Sequence, residues 1–384
     1  MYIRIEDRAG LAEAAGWVVK NLRLRSTEPV YGGALLTAEA EGLVIEGFDT
    51  TTATRFRVPA ETGGQAQVLV SARLLAEVAR LLPNHPVELE AAGGELVISC
   101  GASRASLPLM PVEDYPARPA APSAVWRCPA ADLAASVIRV AAAASTDAGD
   151  LELSCVVLDL PERVGEPVRM YGTNRAALSA ARIPAEPTHG AIDGVLGGRV
   201  LVPAAAVEAA ARALATDPGG QIGLGSDGRV LAMDTAARRV TLATVDHPGR
   251  DYEKILGSAE GCEFAMPRQE FEAALKRLSL HRDAPKARIE CGENVVRLAV
   301  RGQQGISEET LAVDYTGQPV TVGMMTRHLV TALHHLGTDL AHFTVPAQPT
   351  RPWLLRPVTD NGTPAEDYRH MVIPAKLHDG EAAA

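Results

Sequence analysis

The 384-residue sequence is 47% hydrophobic and 22% charged, which allows a packed core and excludes a disordered chain. Aromatics make up only 4%, so that core must be built from Ala, Val and Leu. The formal charge of −10 excludes a broad basic coat for nucleic acid but not a local basic face, because binding follows the distribution of charge. Five scattered cysteines (100, 128, 155, 262 and 291), with no C-x-x-C, indicate neither a disulfide framework nor a zinc knuckle. The opening "MYIRIEDRAG" has no apolar h-region, and no apolar run reaches the ~18 residues of a membrane span, so the expectation is a cytoplasmic protein without a membrane partner.

In chain order, a strand is followed by a helix over residues 8–22, with Leu11, Ala14, Ala15, Val18 and Leu22 on one stripe. A second strand and helix follow in "QVLVSARLLAEVARLLP" (67–83), then a hairpin over 87–100 and a Pro-rich linker over 115–124. The middle third repeats this order. It has a helix over 129–144 carrying Leu133, Val137 and Ile138, then "RVLVPAAAVEAAARALA" (199–215), then a hairpin over 221–234. The last third repeats it again, with a helix over 266–280 (Phe271, Ala274, Leu275, Leu278) opened by Pro267, then 319–337, then strands in 341–357. Each third thus reads β-α-β-β-β twice. The alternating strands favour antiparallel sheets, hence an α+β fold of three repeated domains, each with two helices. The boundaries are 1–122, 123–256 and 257–377, with a frayed tail at 378–384. The pairs Asp114-Tyr115, Asp251-Tyr252 and Asp367-Tyr368 recur once per third and are expected to mark the same turn in each copy.

The triple repeat, the "LPLMPVEDYP" that closes the first third, the "LVPAAAVEAAARAL" after "YGTNRAALSAARIP", and the terminal "YRHMVIPAKL" together resemble the bacterial DNA polymerase III beta subunit, the sliding clamp, over about residues 1–377. The resemblance implies a DNA clamp fold and a head-to-tail homodimer forming a six-domain ring. It implies helices lining the hole, no catalysis and no cofactor. The implied partners are double-stranded DNA, the DNA polymerase III alpha subunit, a clamp loader and other clamp-motif peptides. A sliding ring must grip phosphates without reading bases. The helix faces opposite the apolar stripes carry Lys20, Arg73, Arg80, Arg139, Arg212, Lys276 and Arg327, and Arg23 and Arg25 follow the first helix. A lone helical arginine is usually a solvated face. Recurrence at matched positions, Arg73 with Arg327 and Arg80 with Arg212, argues for more. By resemblance, Arg25 and Arg73 match DNA-touching positions.

The resemblance also implies a peptide pocket made by Leu153, Thr173, Arg175, Leu178, Lys254, Ile255, Met325, His328, Met371, Val372, Ile373, Pro374, Ala375, Lys376 and Leu377. The chain departs from the family there. Asn174 replaces an acid, Ala176 and Ala177 replace a bulky pair, "GRDY" (249–252) replaces Phe-Pro-Asp-Tyr, His328 replaces Tyr and Lys376 replaces Arg. Such changes around one cleft suggest a specialised paralogue that resists, or sequesters, a pocket-directed inhibitor. At the implied dimer seam (Ala105, Leu107, Arg277, Leu278), Ala105 stands for Phe and Arg277 for an aliphatic residue, which predicts a looser ring unless Arg277 finds an acid.

Other chemistry falls away. "GLGSDG" (223–228) satisfies G-x-G-x-x-G, but the strand-like "RVLAMD" follows where a dinucleotide site needs a helix, so it reads as a hairpin turn. There is no Walker A motif. His334-His335 lack H-E-x-x-H spacing and are weak zinc candidates, and no nucleophile constellation is recognisable.

Overall fold

A computed structural model describes residues 1–21, 29–147, 149–188, 197–217, 219–257, 260–303 and 305–377. The anticipated tail at 378–384, and Arg23 and Arg25, lie outside the described residues.

The first third runs β1 (Tyr2–Ile5), α1 (Arg8–Lys20), β2 (Gly33–Glu39), β3 (Gly42–Phe48), β4 (Thr52–Val58), β5 (Glu61–Thr62), β6 (Ala66–Ser71), α2 (Ala72–Leu81), β7 (Val87–Ala92), β8 (Glu95–Cys100) and β9 (Ser103–Pro108). The middle third runs β10 (Trp126–Pro129), α3 (Ala130–Ala141), β11 (Cys155–Leu160), β12 (Val168–Thr173), β13 (Ala177–Ile183), β14 (Glu186–Pro187), β15 (Gly198–Pro203), α4 (Ala204–Leu214), β16 (Gln221–Ser226), β17 (Val230–Asp234), β18 (Arg238–Ala243) and a short α5 (Tyr252–Leu256). The last third runs β19 (Cys262–Pro267), α6 (Arg268–Leu278), β20 (Lys286–Gly292), β21 (Val295–Gly302), β22 (Gly305–Ala312), β23 (Val320–Met325), α7 (Thr326–Leu336), β24 (Leu340–Val345), β25 (Trp353–Pro357) and β26 (Tyr368–Val372). Apart from the two-residue strands β5 and β14 and the helix α5, this is β-α-β-β-β six times.

Most long helices begin where a strand stops, with no loop between. Ser71 accepts from the Leu74 amide to start α2, and Asp7 accepts from Ala9 to start α1. Prolines take the cap position before α4 and α6, where a missing N–H costs nothing. The predicted stripes are buried: Leu11, Ala14, Ala15 and Val18 in α1, Leu133 and Val137 in α3, and Phe271, Ala274, Leu275 and Leu278 in α6.

Two compact units emerge, and the middle third is divided between them. In the first unit a five-stranded sheet has the order β5-β1-β7-β8-β9, and a nine-stranded sheet runs β14-β10-β16-β17-β18-β4-β3-β2-β6. In the second unit strands run β11-β12-β13-β26-β25-β24-β19, beside a four-stranded sheet β22-β21-β20-β23. The reason for the division is hydrogen bonding across the repeats: β18 pairs with β4 (Val240 opposite Thr54), and β13 pairs with β26 (Leu178 opposite Met371). Every named strand pair is antiparallel, as the alternating pattern required. β9 and β22 each end a sheet with one side unpaired.

The Asp-Tyr pairs do not mark one shared turn. Asp114 ends a 3-10 turn, Asp251 caps α5 by accepting from the Lys254 amide, and Tyr368 opens β26. What recurs is burial of the ring: Tyr115, Tyr252 and Tyr368 are all in the core. The tyrosine anchors each copy, and the exposed aspartate follows whatever backbone is there. Four cysteines are buried and free, and burial pushes the Cys128 and Cys291 thiols up to about 12, which makes them inert packing groups. Among the described residues no helix is long and apolar enough to cross a membrane.

Candidate nucleic-acid interface and peptide pocket

The helix cations stand opposite the buried stripes, and three of the seven are tied to an acid one turn away. Arg73 meets Glu77 at 2.9 Å, Arg212 meets Glu208 at 2.8 Å, and Lys276 meets Glu272 at 2.6 Å. Lys20, Arg80 and Arg327 are exposed. Exposed helical pairs such as Arg73–Glu77 and Arg212–Glu208 stabilise by only ~0.3–0.5 kcal/mol, whereas Glu272 is nearly buried beneath Lys276. Arg139 differs from the others. Its guanidinium lies 5.2 Å from the Tyr368 ring centroid, and a Cβ at Gly337 would fall 2.9 Å from its Nη2. Gly337 closes α7 in the left-handed conformation, so the Arg139 charge sits at the negative end of that helix rather than on an open face.

The residues of the expected pocket all belong to the second unit. Thr173 Oγ1 donates to the Ala177 carbonyl at 2.6 Å and accepts from the Arg175 amide at 3.2 Å. Asn174 Oδ1 accepts from the Ala176 and Ala177 amides, which folds the β12–β13 turn. Asn174 therefore folds this turn without carrying a charge. Arg175 is held at a φ of 72° and reaches Asp150 at 2.8 Å. The chain end is laid beside this turn: the Ile373 amide donates to the Ala176 carbonyl, the Ala375 amide to Gly323, and Lys286 Nζ to the Lys376 carbonyl.

Burial sorts the expected pocket residues. Ile255 and Ile373 are exposed at 47% and 42%, while Leu153, Leu178, Met371 and His328 are buried. Val372 is fully buried and its strand is paired on both sides, to Ala177 and Trp353, so it packs in the core beneath the exposed isoleucines. At the expected seam, Leu107 and Leu278 are buried within their own chain. Arg277 does find an acid, in its own chain, with both nitrogens on Glu309 at 2.6 and 2.8 Å.

Two features escaped the sequence reading. Glu253 on α5 takes the Tyr171 hydroxyl at 3.0 Å, Arg182 at 2.9 Å and Arg369 at 2.9 Å. Burial pushes this carboxyl up, but the hydrogen bonds and charges of Arg369 and Arg182 outweigh it and leave it below the usual range. This hub fixes α5, and with it Lys254 and Ile255, against β12, β13 and β26. An aspartate cap before five residues with apolar ends was the only signal. The second feature is a buried polar chain behind β26: Ser179 Oγ to Tyr368 Oη, and Tyr368 Oη to His370 Nδ1, each 3.1 Å. Burial, with His335 and His328 nearby, pushes His370 down to about 3.

Residues 1–119 match the family described as DNA polymerase III beta subunit, N-terminal domain, and residues 259–373 match its C-terminal domain. The chain is 30% identical to the beta sliding clamp of Streptomyces coelicolor, covering 98% of this chain and 100% of that one. It is 24% identical to the beta sliding clamp homolog GriR of Streptomyces muensis, with 97% and 98% covered. Among solved structures, the DNA polymerase III subunit beta of Pseudomonas aeruginosa superposes with a TM-score of 0.85 at 21% identity, over 98% of this chain and 100% of that one. A griselimycin-bound sliding clamp from the same organism gives 0.84 at 21% identity, with the same coverage.

Proposed function

This chain belongs to the DNA polymerase III beta subunit family of sliding clamps, and on that premise we propose how its residues serve a processivity factor that catalyses nothing itself. Two copies join head to tail, the free edge of β9 meeting that of β22, and close a six-domain ring around duplex DNA in the cytoplasm. The domains are 1–122, 123–256 and 257–377. The seam draws its apolar area from exposed groups beside those edges, Leu74 and Leu81 of α2 against Ile306 and Leu280, in place of Leu107 and Leu278. The observation that carries the reading is the repeated exposed cation on the helices, checked by an acid on the same helix. Such a surface holds phosphates weakly and without sequence preference, which is what sliding needs. Sedimentation should return twice the 40.4 kDa of one chain. Rings loaded on a nicked circle by a clamp loader should be lost when the circle is cut, and retention after cutting would overturn encirclement.

Peptides of the polymerase alpha subunit, the loader and other clamp-binding proteins would dock where Ile255 and Ile373 are exposed, between the β12–β13 turn and the chain end. Gly323 is the support. A Cβ there would lie 2.7 Å from the Ala375 carbonyl oxygen and 2.9 Å from the Leu377 side chain. Gly323→Ala should therefore lift the chain end and weaken a labelled clamp-motif peptide roughly tenfold, about 1.4 kcal/mol. Fluorescence anisotropy reads this, and unchanged affinity would remove Gly323 from the site.

A second reading draws on the altered pocket rim. With Asn174, Ala176, Ala177 and His328 in place of charged or bulky groups, the pocket would discriminate against a ligand such as griselimycin while retaining peptide partners. Titration of both ligands against this chain and an ordinary clamp tests it; parallel affinities for both would remove the specialisation.

A further inference from the structure

His334 has no role in anything above, yet its position in the repeat is informative. With Leu82, Leu214 and Leu336 in register, Arg80, Arg212 and His334 occupy the same place, each two residues earlier. Arg73 and Arg327 fall together seven residues before that place in the first and last copies. The third copy therefore keeps one helical arginine and exchanges the other for an imidazole. The structure puts that imidazole where a phosphate-facing cation would stand. Its side chain is 66% exposed, and Nδ1 lies 3.6 Å from Glu272 Oε1.

Glu272 is nearly buried on α6, and its charge is already shared by Arg268 at 2.8 Å and Lys276 at 2.6 Å. Burial pushes its carboxyl up, but Lys276, Arg268 and His334 more than offset this and hold it below the usual range, so it stays ionised. Facing His334 are therefore Glu272, Lys276 and Arg268 from α6, and on α7 itself His335, whose ring meets it edge-on at 5.1 Å. The Glu272 carboxylate lies on the Nδ1 side of the ring, 3.6 Å away, and the ring stays mostly exposed.

We propose that His334 is a DNA phosphate contact of the third repeat, equivalent to Arg80 and Arg212 but switched by a proton. The proposal rests on the encirclement reading. Unlike a guanidinium, an imidazole can lose its charge within the range of cellular pH. The grip of this copy on DNA therefore strengthens as pH falls, while those of the arginine copies do not change.

The test is anisotropy of a fluorescein-labelled duplex oligonucleotide with the dimeric protein, at 50 to 200 mM salt, at pH 6 and pH 8. Each phosphate contact adds about 0.9 to the log–log salt slope, roughly a 3.5-fold change in affinity across that interval. The wild-type slope should be steeper at pH 6 by about 0.9 per chain. His334→Gln should show the shallow slope at both pH values, and His334→Arg the steep slope at both. If His334→Gln keeps the wild-type pH dependence while Arg80→Gln lowers the slope, the proposal is overturned. If Arg80→Gln and Arg212→Gln also leave the slope unchanged, the DNA-facing reading of these helices falls first.

Discussion

Arg238→Ala should lower the stability of the first unit by about 3–5 kcal/mol, the range for removing one partner of a buried ion pair. Arg238 begins β18 and pairs across to Phe56 of β4. It is only 7% exposed, and its guanidinium lies 5.0 Å from the Phe56 ring centroid and 6.0 Å from that of Trp17. It reaches Thr216 Oγ1 at 2.9 Å, pairs with Glu13, and faces Asp217, itself almost buried, at 4.0 Å. Four elements therefore converge on one side chain: α1, β4, β18 and the residues after α4. Alanine would leave Asp217 without its cation and the two rings without their cover. Arg238→Met should lose much less, because the stem still covers the rings and a hydrophobic replacement of similar volume is often close to neutral. Urea midpoints of the two variants test this; equal midpoints would mean that the charge contributes nothing at this junction.

Arg238 also illustrates what could be read from sequence. The repeat was legible because strands alternate with period two and helices with period near 3.6, and both periods lie within a few residues of chain. Thus α1, α3 and α6 fall where the stripes put them, α2, α4 and α7 lie within the segments read as strand and helix, and "GLGSDG" runs into a hairpin turn, with Asp227 accepting from the Arg229 and Val230 amides. Partners far apart in sequence were not legible. Arg139 has the spacing of an exposed helical cation, yet it is held by Tyr368, and nothing near residue 139 announces that. The burial of Leu107 and Leu278 within their own chain was hidden for a related reason. An apolar residue near an edge or on a helix can face its own core or a neighbour, and only the packed fold decides between them. The α5 segment is one turn long, too short for any periodicity to register.

Acid should weaken the second unit well before its carboxylates titrate, and His370 is the main reason. In the folded chain its imidazole is held neutral, pushed down to about 3, whereas in the unfolded chain it ionises near 6.5. Below about pH 6.5 the unfolded state therefore binds a proton that the folded state refuses. Stability is complete above that pH and is lost as pH falls towards 3, at about 1.4 kcal/mol per pH unit. From pH 7 to pH 5 the loss from this one group is about 2 kcal/mol. His328 and His342 are also pushed down by burial, and add in the same direction. Glu253 and Glu272 sit below the usual carboxylate range, so their share is lost only at lower pH. His370→Leu should remove most of the slope between pH 7 and pH 5. Tyr368 keeps its Ser179 partner in that variant, and Nε2 of the histidine has no protein partner to lose. Should leucine strain the site, His370→Gln gives a second neutral side chain for the same comparison. Urea midpoints at pH 7, 6 and 5 decide the matter: slopes in both variants equal to wild type would assign the acid sensitivity elsewhere. Because β26 carries His370 on its inner side and leads directly into Ile373, the proton that destabilises this strand also loosens the chain end on which the peptide site is built.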